Sequence, residues 1–190
     1  DTLRLTGLHR NFIYHTVTCG TTTGQAHHMM QKILKGKGLW LDAKYSVRMV
    51  DVWTPMFDLS NHEKCLRKTS GAEKHIDKVA EMAVSRKAGN YDRLSLAHWL
   101  AKWYYRTYEN QRGTRHFHVM KDRCTGCGLC ARQCPEHAIE CGDGHPFWVK
   151  EKCTLCLKCL HHCPRFAIQY GRYTIDHGQF VYPAKPGSGK

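Results

Sequence analysis

Eight of the cysteines in this 190-residue chain lie in two blocks with the same internal spacing. The first block reads C-T-G-C-G-L-C-A-R-Q-C-P over residues 124–135, and the second reads C-T-L-C-L-K-C-L-H-H-C-P over residues 153–164. Both follow C-x2-C-x2-C-x3-C-P, a spacing that holds 4Fe–4S clusters. Three closely spaced thiolates can wrap one side of a cubane, while the fourth has to come from elsewhere in the chain. The spacing therefore predicts iron–sulfur chemistry.

The fourth cysteine of each such block binds the other cluster when a protein has two clusters. This rule predicts two crossed ligand sets. The first set is Cys124, Cys127, Cys130 and Cys163, and the second is Cys153, Cys156, Cys159 and Cys134. Pro135 and Pro164 lack a backbone N–H and fix the chain direction just after each crossed ligand.

Two other uses of cysteine fit this pattern less well. Zinc sites generally use pairs of C-x2-C, not four-cysteine runs that end in Cys-Pro. A disulfide framework is typical of smaller secreted domains, and the chain carries no signal peptide pattern. Of the remaining cysteines, Cys141 is interpreted as a small half-buried apolar side chain, and Cys65 is given no role.

The formal net charge of +13 is distributed along the whole chain rather than gathered in one block. This distribution argues against a nucleic-acid partner and favours an acidic redox protein as partner, although a generally basic solvated surface explains it equally well. No run of about 18 apolar residues is present, so no transmembrane helix is predicted. Reduced thiolates for cluster binding predict a cytoplasmic location.

The first 90 residues alternate between strand and helix patterns. Strands are predicted over 12–18 and 45–50, and helices over 26–34 and 72–87, with 51–71 irregular around a Ser60-Asn61 turn. The order predicts parallel strand pairing in an α/β region. Two strands and two helices are too few for a stable doubly wound sheet.

A third helix is predicted over 91–110, capped by Asp92 or Ser95. Its apolar face is expected to pack on a core, with partner docking or membrane binding as the alternative; this face comprises Leu96, Trp99, Leu100, Trp103 and Tyr104. The predicted domains are 1–90, a connector over 91–115, the cysteine module over 116–172 and an extended tail over 173–190. Within the module, strands are expected at 116–121, 138–141, 146–150 and 167–171.

The order of these pieces resembles the flavodoxin–ferredoxin fusion family, which is common in anaerobic bacteria and archaea. Residues 12–24 resemble the fourth strand of a flavodoxin and its following loop, and residues 39–49 resemble the fifth-strand region. Trp148 and the cysteine blocks match the ferredoxin portion. The resemblance implies the second half of a flavodoxin-like doubly wound sheet, followed by an α+β two-cluster ferredoxin fold.

The chain lacks the first three strands and the phosphate loop of that family, and residues 3–8 would end the preceding helix. The resemblance thus implies that the chain is a fragment lacking an N-terminal segment, or that a second chain completes the sheet. It also implies FMN in the intact protein, contacted by Thr18, Cys19, Gly20 and Thr21. The alternative for this loop is an ordinary strand-to-helix turn with a threonine cap.

Three functions are consistent with these features. The first is low-potential transfer of single electrons through two 4Fe–4S clusters to or from a flavin or a redox partner. The second is an FMN-dependent oxidoreductase whose ferredoxin domain connects the flavin to an electron donor. The third is a docking or structural subunit of a larger redox complex. No catalytic acid or base stands out, so enzyme activity is left open. His161 and His162 are placed to tune a cluster by charge or hydrogen bonding.

Overall fold

The computed structural model describes residues 11–182, which form two compact units. One unit comprises the residues up to Asp51 together with Arg67–Tyr104, and the other comprises Val52–Leu66 together with the residues from Tyr105 onward. The helix end predicted over 3–8 lies outside the described residues, as do 183–190. Within the described stretch, none of the helices is both long and apolar enough to cross a membrane.

The first unit is built on a parallel three-stranded sheet in the order β1-β2-β3. Its elements are β1 (Tyr14–Cys19), α1 (Ala26–Lys35), β2 (Ala43–Arg48), most of α2 (His62–Val84), β3 (Gly89–Asn90) and the first half of α3 (His98–Gln111). Helix α1 provides the crossover that parallel pairing of β1 with β2 requires. This mixed α/β arrangement agrees with the predicted order of strands and helices.

Strand β2 forms the core of the first unit. Ala43, Tyr45 and Val47 are buried and pack against Ala72 and Val79 of α2. The Tyr45 hydroxyl donates a hydrogen bond of 2.6 Å to the carbonyl of Lys87, so the buried phenol keeps a polar partner. Strand β1, in contrast, alternates between exposed and half-buried residues.

Helix α2 begins about ten residues earlier than the sequence pattern predicted, at His62 rather than near residue 72. The side chain of Asn61 accepts a hydrogen bond of 2.9 Å from the backbone N–H of Lys64, which is the contact of a helix N-cap. The Ser60-Asn61 pair therefore starts the helix, and the prediction of irregular structure up to residue 71 was wrong for residues 62–71.

Helix α3 begins at His98, later than predicted, because residues 89–95 follow the sheet edge. Asp92 does not cap this helix; it accepts hydrogen bonds from the Thr23 hydroxyl (2.8 Å) and from the N–H of Leu94 (2.9 Å). The prediction that the aromatic face packs on a core was wrong for Trp99 and Trp103, which are 73% and 64% exposed.

The second unit carries both cysteine blocks on short elements. These are a 3-10 turn (Thr114–His116), β4 (Phe117–Val119), α4 (Leu129–Arg132), β5 (Ile139–Gly142), β6 (His145–Trp148), α5 (Lys158–His161), β7 (Ile168–Tyr170) and α6 (Thr174–His177). Strands β4 and β7 pair antiparallel, as do β5 and β6. Phe117 stacks on Trp148 with ring centroids 5.0 Å apart and belongs to the core with Leu157, Leu160 and Ile168.

The segment after Tyr173 is not simply extended, which corrects the tail predicted over 173–190. Helix α6 forms there because Thr174, fully buried, donates a 2.6 Å hydrogen bond to the Gln169 side chain and accepts one from the N–H of Tyr170. Its last residue, His177, accepts a hydrogen bond of 2.7 Å from the N–H of Leu59. Residues 174–177 therefore belong to the packed unit.

Candidate iron–sulfur centres

The two cysteine blocks adopt the same local backbone. Left-handed φ angles recur at matching positions: 66° and 50° at Gly126 and Leu155, and 68° and 53° at Gly128 and Leu157. A Cβ on Gly126 would lie 2.7 Å from the carbonyl oxygen of Gly144, so this position excludes any larger side chain. Each loop thus turns inward in a conformation that brings its first three cysteines around one space.

The short helices α4 and α5 complete the two loops. Each begins directly after the second left-handed residue and carries the third cysteine of its block, Cys130 or Cys159. The fourth cysteines lie just beyond. The Sγ atoms of Cys134 and Cys163 each accept a hydrogen bond of 3.3 Å from the backbone N–H four residues later. Such N–H groups stabilise a thiolate over a thiol.

One cavity is lined by three cysteines of the first block and the last cysteine of the second. These are Cys124, Cys127, Cys130 and Cys163. The cavity has about 360 Å³ of empty space, and its remaining lining includes Pro146, Pro164 and Ile168. The structure therefore brings together the four cysteines that the spacing rule groups as the first ligand set.

The second cavity repeats this arrangement with the roles of the blocks exchanged. It is lined by Cys153, Cys156, Cys159 and Cys134. Its empty space of about 340 Å³ matches the first cavity in size, and Phe117, Trp148 and Leu157 form part of its wall. Each cavity is thus lined by four cysteines within an apolar wall.

The donor set fits a cluster better than a single ion. Across residues 11–182, no three His, Cys, Asp or Glu side chains converge closely enough to hold one metal ion. The cysteines instead surround a space, as a cubane with iron at several corners requires, whereas a zinc ion draws its ligands to about 2.3 Å from one point. When bound, such a cluster accepts and returns single electrons.

Burial makes these thiols hard to ionise without a positive group beside them. Burial and the neighbouring Cys156 raise the pKa of Cys159 to about 12, and burial together with Cys141 raises the pKa of Cys130 to about 11. Burial also raises the pKa of Cys153. Because only thiolates bind iron, the positive charge of the iron has to supply the free energy that ionises them.

Cys141 is a ninth cysteine that the block spacing does not identify. It lies on β5 and is exposed, so its interpretation as a half-buried apolar side chain was wrong. A Cβ on Gly128 would lie 3.9 Å from its Sγ, which puts Cys141 next to the first block. Only the hairpin geometry, which spacing does not encode, brings it there.

The histidines of the second block have different surroundings. His161 is buried, and its Nε2–H donates a 2.8 Å hydrogen bond to the carbonyl of Val52, while its Nδ1 accepts one from the N–H of Phe180. Burial lowers the pKa of His161, which favours this neutral form. Its role in the structure is to tie these segments together, whereas His162 is exposed.

The predicted flavin loop lies at the end of β1 in the first unit. The Thr21 hydroxyl donates a 2.7 Å hydrogen bond to the carboxylate of Asp51, and a Cβ on Gly20 would collide with the same side chain. Burial and then the charge of Asp92 raise the pKa of Cys19. An acidic side chain therefore packs on part of the loop Thr18–Thr21, whose contact with FMN stays a prediction.

Comparison with known proteins supports the iron–sulfur interpretation of the second unit. Residues 117–140 match the family described as 4Fe-4S binding domain. No curated protein and no solved structure matches the chain. The family match supports a ferredoxin-type iron–sulfur domain that binds a 4Fe–4S cluster and serves electron transfer in general.

Proposed function

We propose that this chain transfers single electrons through two 4Fe–4S clusters. The first cluster would be held by Cys124, Cys127, Cys130 and Cys163, and the second by Cys153, Cys156, Cys159 and Cys134. The observation that carries the proposal is the pair of matched cavities, each lined by three cysteines of one block and the last cysteine of the other. The family match covers the first block and supports the cluster chemistry independently.

The crossing of ligands has a functional consequence. Each cluster is bound by both blocks, so the two cavities are held at a fixed separation by the same loops and by the short helices that contact each other, α4 and α5. A fixed separation favours electron exchange between the clusters because no movement of the chain is needed. The electron path therefore runs from one cavity to the other inside the second unit.

The first cavity is the better contact point for a redox partner. Four exposed basic side chains flank its cysteines: Lys121, Arg123, Arg132 and Arg165. Asp122 is the single acidic residue between residues 121 and 132. A positive rim of this kind favours an acidic protein by steering its approach. Such a partner should therefore exchange electrons more slowly as the salt concentration rises.

The test is a stepwise reduction of the full chain after anaerobic iron–sulfur loading. We expect iron and sulfide contents for two clusters, two one-electron steps in protein-film voltammetry, and the signals of reduced 4Fe–4S clusters in electron paramagnetic resonance. Iron for a single cluster would contradict the two-cluster assignment. Clusters that dithionite does not reduce would favour the docking-subunit function instead.

The alternative function, a flavin-dependent oxidoreductase, is a prediction made from the sequence. The first unit has parallel strands, and Asp51 packs against Gly20 and Thr21 of the loop that the resemblance assigns to the flavin. Flavin analysis of the same anaerobic preparation distinguishes the two functions, because bound FMN at one per chain would favour the oxidoreductase.

A further inference from the structure

Helix α3 presents two large aromatic side chains to solvent. Trp99 and Trp103 are 73% and 64% exposed, whereas Ala101, midway between them in the chain, is 1% exposed. Successive residues of an α-helix are turned by about 100°, so the residues two before and two after Ala101 lie nearly opposite it. The side of α3 that carries Ala101 therefore packs on the protein, and both tryptophans lie on the side that faces away from it.

The two tryptophans form one surface. They are four residues apart on the helix, and side chains at that spacing are neighbours. Tryptophan is highly buried on average in folded proteins, and contiguous apolar surface that stays exposed generally marks a binding site. The iron–sulfur function uses neither residue, so this surface calls for a binding partner of its own.

The charges along this part of the chain are positive. Between Asp92 and Glu109 the sequence has no acidic residue and three basic ones, Arg93, Lys102 and Arg106. Lys102 is exposed and lies three residues after Trp99, which places it on the same side of the helix as the tryptophans. The charge that complements this surface is negative, so its partner is expected to be anionic.

The residue types on this surface favour an anionic lipid membrane as the partner. Tryptophan is enriched where proteins meet the headgroup region of a bilayer, because its ring is apolar but carries one polar N–H. Basic side chains beside such rings can reach the lipid phosphates. A helix with one side packed on its protein, and with tryptophan and lysine on the other, combines both features on a single surface.

We propose that α3 attaches this protein to the surface of anionic membranes. Trp99 and Trp103 insert at the level of the lipid headgroups, and Lys102 pairs with lipid phosphates. The helix lies in the plane of the membrane, since within the described residues no helix is long and apolar enough to cross it. This attachment is peripheral, and it does not depend on the cluster assignment because no cysteine takes part in it.

Sedimentation with lipid vesicles tests the proposal on the anaerobic, cluster-loaded full chain. Vesicles of phosphatidylcholine and phosphatidylglycerol in equal parts should bind the chain, and vesicles of phosphatidylcholine alone should bind it more weakly because they lack the negative surface potential. Replacing both tryptophans, Trp99→Ala with Trp103→Ala, should weaken binding about tenfold or more, the effect of losing two large apolar contacts. Both residues are exposed, so this variant should keep its iron.

Two variants in the first unit serve as matched controls. Trp40 is 60% exposed but lies outside α3, so Trp40→Ala should leave vesicle binding unchanged. Lys102→Met should weaken binding about fivefold, the effect expected for one basic side chain at an anionic surface. Lys74→Met removes an equal charge from an exposed position of α2 and should weaken binding less.

Fluorescence quenching by lipids that carry bromine on their acyl chains gives a second readout. Only tryptophans that enter the membrane should be quenched, so quenching should be lost when Trp99 and Trp103 are replaced by phenylalanine. The proposal is overturned if the anionic vesicles do not bind, if replacing Trp99 and Trp103 weakens binding no more than Trp40→Ala does, or if the brominated lipids do not quench. Equal weakening by Lys102→Met and Lys74→Met would also overturn it, because the vesicles would then respond only to the net charge of the chain. Failure to bind vesicles would favour an acidic protein as the partner of this surface.

Discussion

The two cysteine blocks have the same ligand spacing and the same backbone but different surroundings. Between Cys124 and Cys134 no residue is buried, whereas the second block buries Cys153, Leu155, Leu157, Leu160 and His161. The positions of Gly126 and Gly128 in the first block are taken by leucines in the second. The cysteines therefore set where a cluster binds, and the residues between them set how exposed that cluster is.

The leucines of the second block adopt a conformation that usually belongs to glycine. Leu155 and Leu157 have φ angles of 50° and 53°, a region that costs an L-residue about 1–2 kcal/mol. Burying a leucine side chain stabilises by about 1.5–3 kcal/mol, and both side chains are buried. Burial thus outweighs strain in the second block, while the first block avoids the strain and stays exposed.

The largest expected effect comes from removing single cysteines, which tests whether the ligands cross between the blocks. Cys127→Ala and Cys163→Ala should each lose the first cluster, although they lie in different blocks. Cys156→Ala and Cys134→Ala should each lose the second. Each variant should retain about half of the iron and one of the two one-electron steps, measured by iron analysis and voltammetry.

Cys65→Ala is the matched control for this series, because Cys65 is buried but lies outside both cavities. It should keep all of its iron. If Cys163→Ala instead lost the same voltammetric step as Cys156→Ala, each block would bind its own cluster and the crossed assignment would be wrong.

The next effect concerns the rate at which each cluster is destroyed by air. Cys134→Ala leaves only the exposed first cluster, and Cys163→Ala leaves only the second, which is enclosed by Phe117, Trp148 and Leu157. We expect the visible absorption of Cys134→Ala to bleach severalfold faster, since exposure increases access of oxygen to the sulfur ligands. Equal rates would mean that the burial of the second block does not protect its cluster.

A smaller effect, on the free energy of unfolding, distinguishes side-chain burial from backbone strain at the position that Gly128 and Leu157 share in the two blocks. Leu157→Ala should lower the free energy of unfolding by about 2–5 kcal/mol because it leaves a cavity in the core. Gly128→Ala should cost about 1–2 kcal/mol, because φ is 68° there and the new Cβ meets only the end of the Arg132 side chain closely, with the Sγ of Cys141 at an ordinary 3.9 Å. Anaerobic unfolding in guanidinium chloride compares them, and a larger loss for Gly128→Ala would reverse this order.

The cysteine groups could be predicted from the sequence because ligand spacing is a local property. The spacing rule groups the same cysteines that line each cavity, and the hydrophobic periodicity places α1 at its observed position, Ala26–Lys35. The first three cysteines of each group and the apolar positions of α1 are close together in the chain, whereas the crossed fourth cysteine follows from the general rule for two-cluster proteins. The start of α2 was also encoded locally, in the N-cap residue Asn61, but the adjoining Ser60 favoured a turn interpretation.

Features that depend on distant contacts could not be predicted. Helix α6 forms around the buried hydroxyl of Thr174 and its bond to Gln169, and nothing in residues 173–182 alone indicates it. The same applies to the position of Cys141 beside the first block. The exposure of Trp99 shows the converse: helical periodicity identifies a face but not whether another element covers it.

The smallest expected effect is a difference in stability between substitutions of Arg132 and His161. These two residues occupy the same position in the two blocks. Arg132 is exposed and donates a 2.8 Å hydrogen bond to the carbonyl of Cys127, within its own loop. Buried His161 instead bonds the carbonyl of Val52 and the N–H of Phe180, so His161→Ala removes both bonds and leaves the buried N–H of Phe180 without a partner, while the carbonyl of Val52 keeps its bond from the N–H of Thr54. Such losses cost about 1–3 kcal/mol, whereas an exposed contact such as that of Arg132 is worth roughly 0.5 kcal/mol.

Anaerobic guanidinium unfolding of His161→Ala and Arg132→Ala measures this difference, and both variants should keep their iron. His162→Ala is the control for the neighbouring exposed histidine and should unfold like the unchanged chain. If His161→Ala proved no less stable than Arg132→Ala, the buried contacts of the second block would add nothing to stability. The difference between the blocks would then rest on the packing of Leu155 and Leu157 alone.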